Sequence, residues 1–69
     1  MTDAKTLAEA LPLEQARCRE LLVAYKEIGP AGAFGAVVIE EALRQADVAS
    51  ASGDVVAMIR SYQELKGLE

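Results

Sequence analysis

The chain has 69 residues, 52% of them hydrophobic, and a formal net charge of −4 at pH 7. That acidic balance excludes attachment to a nucleic acid polymer through a basic face. One cysteine and no histidine exclude an internal disulfide and leave no ordinary ligand set for structural zinc.

A single core of this length supplies only about 3–5 kcal/mol of net stability. With staples absent, self-association is the expected remedy, although many of the apolar residues are alanines with little surface to bury. The start of the chain carries an early lysine and no apolar h-region, so no secretory signal is read there. The longest uncharged run falls well short of a bilayer span. A lone thiol without an export signal points to a reducing cytoplasm, with no membrane partner.

Residues 1–11 read as a lead-in and residues 12–69 as one helical domain. In the lead-in, Thr6 and Glu9 have capping-box spacing, which suits a short helix over Leu7 to Ala10. Leu7 and Leu11 are its apolar handles. Pro12 suits the first position of the next helix, where its missing N–H costs nothing.

The first main helix is expected from Pro12 to Ile28. Cys18, Leu21, Leu22, Tyr25 and Ile28 recur at helical spacing and form one stripe. Leu13, Ala16, Val23 and Ala24 fall on the opposite side, a second and weaker surface. Gln15, Arg19 and Lys26 share a polar edge, and Arg17 flanks the stripe with Glu14 in reach.

Gly29-Pro30-Ala31-Gly32 then turns the chain. Gly29 can close a helix in a left-handed conformation, and Pro30 prevents its continuation. A second helix is expected from about Ala31 to Ala49, apolar over more than half of its circumference. Gly35 inside it costs roughly 1 kcal/mol relative to alanine, which signals that a backbone, a second subunit or a ligand approaches closely. Gly35, Ile39, Ala42 and Ala46 are therefore the expected oligomer interface. Glu40 and Arg44 have pairing distance on the polar face.

Ser50 to Asp54 is a turn, with Ser52 or Asp54 as the cap of a third helix over Gly53 to Lys66. Val55, Met58, Ile59, Tyr62 and Leu65 form its stripe, and Gly67 ends it. No strand pattern occurs. The expected fold is all-α: a helical hairpin, a third helix packed on it, and a small bundle completed as a homodimer or higher oligomer.

Chemistry is scarce in this sequence. The commonest general base is missing, Cys18 sits on a core stripe, and the carboxylates Glu40, Glu41 and Asp47 lie on a solvated face beside Arg44. No enzyme activity, cofactor or metal is expected. A binding role is left, and the turn is where a ligand can sit. Free amides of Gly32 and Ala33 at a helix start suit an anion. Lys26 and Arg17 offer charge, and Tyr25 or Phe34 offers a stacking face. The competing interpretation makes the same stretch a tight turn with Gly35 as a packing notch. Two other roles compete with capture of a small ligand: inhibition of a protein partner through the helix faces, and acidic mimicry of nucleic acid.

The runs Arg17-Cys18-Arg19-Glu20-Leu21-Leu22 and Tyr25-Lys26-Glu27-Ile28-Gly29-Pro30-Ala31-Gly32-Ala33-Phe34-Gly35-Ala36, with Ser52-Gly53-Asp54, carry a resemblance. The chain resembles short helical proteins carried by phages and prophages of Proteobacteria, including Mu-like ones. The resemblance spans about Leu11 to Lys66 and brings no assigned activity. It implies a setting in the host cytoplasm, where accessory proteins act against host machinery or defence. Some small helical phage proteins of other families sequester cyclic nucleotide signals as oligomers. By that analogy the expected role is counter-defence capture of a small anionic, nucleotide-like host signal.

Overall fold

The computed structural model describes residues 6–69. All regular structure among them is helical: α1 over Leu7–Ile28, a 3₁₀ turn over Gly29–Gly32, α2 over Ala33–Ser52 and α3 over Val55–Lys66.

The first difference from expectation is the start of α1. One continuous helix runs through Pro12, which occupies its second turn and not its first residue. Proline there removes one intrahelical hydrogen bond, a cost of up to about 3 kcal/mol in a helix interior. Two features offset it. The Glu9 carboxylate accepts the Thr6 N–H at 3.3 Å, anchoring the N-terminus at Thr6. Leu11, on the same stripe as Gln15, Cys18 and Leu22, is wholly buried, and only a helix begun ahead of Pro12 aims it inward. The lead-in reading of residues 7–11 therefore gives way to a first helical turn. Residues 1–5 lie outside the described residues.

α1 and α2 run antiparallel, fastened along one edge by long-range polar contacts. Arg19 meets Asp47 at 3.1 Å and Lys26 meets Glu40 at 2.9 Å. The Gln15 amide donates to the same Asp47 oxygen at 2.8 Å, which lets a glutamine sit 92% buried without an orphaned donor. Glu40 thus pairs across to α1, and Arg44 takes Glu41 instead, at 3.0 Å through Nε. These exposed pairs fix the alignment of the two helices more than they stabilise it, since each is worth about 0–1 kcal/mol.

α3 packs against both. Its start is capped by Asp54, whose carboxylate accepts the Ala57 N–H at 3.2 Å. Its last turn is held from α1: Arg17 donates to the Leu65 carbonyl oxygen at 2.7 Å, and the Cys18 thiol approaches the same oxygen at 3.5 Å. A cation on the last carbonyls of a helix opposes its negative end. Leu11, Cys18, Ile39, Leu43, Ala46 and Leu65 form the core. On α3, Met58, Tyr62 and Leu65 of the expected stripe face the core, and the margin of that face differs. Ser61 is buried while Val55 and Ile59 look outward.

The Cα envelope measures 40 × 28 × 15 Å. With only three α-helices among the described residues, each packed on the other two, every helix keeps an outward side. Val23, Phe34, Val37, Val48 and Val56 lie on those sides.

Candidate functional site

The turn between α1 and α2 is built by two glycines in different ways. Gly29 has φ 86° and ψ −145°, a region essentially reserved for glycine. Gly32 instead has an ordinary φ of −94°, and its role is close approach. A Cβ there would strike the Tyr25 carbonyl oxygen and stand 3.1 Å from its carbon. The 3₁₀ turn thus folds back onto the backbone of α1 and leads directly into α2.

That geometry corrects the anion nest expected at Gly32 and Ala33. The Ala33 N–H donates to the Pro30 carbonyl, and Gly32 is buried. The Ala33 donor is thus engaged within the turn and the Gly32 backbone is covered, so this pair does not present two open amides to a ligand.

Gly35 is explained within the chain. The Tyr25 ring lies over it, and a Cβ would meet ring carbons Cδ2 and Cε2. The Tyr25 hydroxyl donates to the Glu69 carbonyl oxygen at 2.6 Å, fixing the ring in place. Gly35 is therefore a notch for Tyr25. The rest of the expected oligomer interface faces inward as well: Ile39 and Ala46 are core residues and Ala42 packs against them. The small-residue stripe of α2 is spent on α1 and α3, because those two helices need the close approach that such residues permit.

Beside the notch lies a shallow open recess of ≈ 290 Å³, lined by Tyr25, Phe34, Gly35, Val38, Leu68 and Glu69. Phe34 is 81% exposed at its edge. Two of the three aromatic residues of the chain thus flank one recess. Its volume sits at the lower end of the roughly 300–1,000 Å³ usual for small-molecule sites. Lys26 follows Tyr25 on an exposed edge outside the lining of the recess, paired with Glu40. Arg17 does not join this group. It lies eight residues earlier on α1, about 12 Å along the axis, and holds Glu14 at 3.0 Å besides the Leu65 carbonyl. The Glu14 hydrogen bond raises its pKa further, so it stays a fixed cation.

A larger groove of ≈ 600 Å³ runs between α2 and the end of α3. Sequence periodicity did not point to it, because Val37, Val38 and Leu68 come from elements far apart in the chain. Its floor is apolar, and Glu41 and Glu64 stand on its rim. The Arg44 and Gln45 hydrogen bonds hold the Glu41 carboxyl below the usual carboxylate range.

Cys18 is wholly buried, and burial pushes its thiol pKa up despite the neighbouring Arg17. Both effects suppress the thiolate that reacts. Native protein is expected to resist an aromatic disulfide reagent and to release one equivalent of thiol chromophore once denatured. Rapid native labelling would contradict the packing of α1 on α3. Among the described residues no buried side-chain nitrogen or oxygen lacks a partner, so none calls for a buried ligand. Compared with family models, curated proteins and solved structures, the chain matches none of them.

Proposed function

We propose that this chain is a non-enzymatic binding protein that captures a small anionic, nucleotide-like ligand at the Tyr25–Phe34 recess. In this reading the helical hairpin and its third helix work as a homo-oligomer in the host cytoplasm, as a phage-borne counter-defence factor. The observation that carries it is the convergence of Tyr25 and Phe34 on one recess, with Phe34 almost fully exposed. A large aromatic ring held in water is a stacking platform awaiting a flat partner.

Charge recognition falls to side chains, since the Ala33 amide is engaged and Gly32 is buried. Lys26 is held by an exposed pair with Glu40, and such a pair is weak enough to be exchanged for a ligand phosphate. The small volume of the recess agrees with a site that needs a second copy to close it. Inhibition of a protein partner is the competing role, and the exposed apolar side of α2 favours it.

Calorimetric titration with cyclic and linear nucleotides tests the reading. Lys26→Glu is expected to abolish binding while circular dichroism stays helical. Phe34→Ala is expected to weaken it about tenfold or more, since stacking on an aromatic side chain contributes about 1–3 kcal/mol per base. Unchanged affinity in both variants, or no heat with any nucleotide, would overturn it and favour the protein inhibitor.

A further inference from the structure

The outward side of α2 has its own pattern. Phe34, Val37, Glu41, Arg44, Val48 and Ala51 succeed one another at intervals of three and four, the spacing of a coiled-coil seam. None touches the core. Phe34, Val37 and Val48 are 81%, 61% and 57% exposed.

We propose that this seam is an interface between two copies of the chain, with their α2 helices packed antiparallel about a two-fold axis between Ala42 and Leu43. The register follows from charge. About that axis Glu41 of one copy faces Arg44 of the other, and Arg44 faces Glu41. The next layers set Val37 against Val48, and Ala51 reaches only the rim beside Phe34, so that a residue this small leaves the ring face open to the recess. Every layer is self-complementary, as a two-fold interface requires.

Shifting the register by a turn would oppose like charges or strand a charge against valine. Charged residues at seam positions cost stability and specify alignment. In the single chain Arg44 and Glu41 are paired along the helix, at 3.0 Å through Nε. The interface exchanges these intrachain contacts for equivalent ones between copies. The seam lies opposite the small-residue face, so the self-association expected of this chain moves to the other side of the same helix. The inference rests on the reading above in one respect, that the functional unit holds more than one copy.

Light scattering after size exclusion, with circular dichroism as the check on folding, tests it. The wild-type chain is expected at twice the chain mass. Glu41→Arg and Arg44→Glu, each placing like charges in the central layers, are expected to raise the dimer dissociation constant about tenfold or more. The double exchange E41R/R44E restores the dimer.

Register is read by mixing a Val37→Cys chain with a Val48→Cys chain. A cross-chain disulfide is expected in the mixture and not from Val37→Cys alone, whose two copies lie about 16 Å apart along the axis. A monomeric wild type at millimolar concentration, dimeric single variants, or failure of the double exchange would overturn the interface. So would co-sedimentation of the monomer with neutral phospholipid vesicles, which would give the seam to a membrane. Nucleotide titration of a monomeric variant reports separately on the recess, so either proposal can fail alone.

Discussion

Leu65→Ala is expected to leave the chain largely unfolded at room temperature, read as loss of the helical circular dichroism signal and of a cooperative denaturant transition. Leu65 is wholly buried, one of the three largest side chains in that position with Leu11 and Cys18. Truncating a buried leucine removes its transfer energy and leaves a cavity, together about 2–5 kcal/mol. The whole net stability of a core this small is about 3–5 kcal/mol, so one substitution is of the same size as the total. Relaxation into the cavity is limited here. The Leu65 backbone is tied to α1 through Arg17 at 2.7 Å, so the end of α3 cannot slide inward without breaking that bond.

A comparison of Leu65→Ala with Arg17→Ala separates packing from anchoring. Arg17→Ala removes a hydrogen bond from a charged donor to the Leu65 carbonyl, but opens no internal cavity. It is expected to lower the denaturant midpoint while keeping a cooperative transition. If Leu65→Ala instead melts within a few degrees of the wild type, α3 is not the lid of this core.

The contrast between these residues also shows what the sequence could and could not convey. Leu65 and Cys18 were legible, because each lies on an apolar stripe whose period is set locally by the helix. The cap of α3 was legible as Ser52 or Asp54, and Asp54 takes it with Ala57 three residues away. Arg17 was misassigned to the ligand because its partner, the Leu65 carbonyl, is 48 residues distant and carries no side-chain signature. Pro12 was misread through a sound local rule, overridden by the burial of Leu11 one residue earlier.

The face of α3 was legible in Met58, Tyr62 and Leu65 and mistaken only at its margin. Val55 and Ile59 are more apolar than Ser61, yet the helix is rotated to seat Leu65 and Tyr62 on α1 and α2. In α2, apolar residues on most of the circumference left its inward side undetermined. The packing of Ile39, Leu43 and Ala46 in the core and the seat of Tyr25 on Gly35 decide it, with the Lys26–Glu40 and Arg19–Asp47 pairs along the edge. The candidate site inherits this pattern. Tyr25 and Phe34 were legible as aromatics near a turn. That the Ala33 amide was already bonded was not, since a 3₁₀ turn and a free helix start share the same letters.

Gly32→Ala is expected to destabilise the chain by about 1–3 kcal/mol, the usual cost of forcing a group into filled space. The sign is the informative part. The backbone of Gly32 is at φ −94° and ψ −1°, open to any residue, and replacing glycine at such a position ordinarily stabilises a protein by about 0.4–1 kcal/mol through the unfolded chain. Steric conflict reverses that expectation. The obstacle is the Tyr25 carbonyl, which is backbone and cannot rotate away, and the Ile28 Cβ stands a further 3.2 Å from the added carbon.

Gly35→Ala meets a tyrosine ring instead of backbone, so it is expected to cost less and to displace Tyr25 from its hydrogen bond with Glu69. Displacing that ring should also alter nucleotide binding if the recess is the site. Chemical denaturation of the two variants, with tyrosine fluorescence as the local probe, sets them apart. A Gly32→Ala chain as stable as the wild type would mean that the turn does not press against α1. The recess beside Tyr25 would then lose the rigid wall that gives it shape.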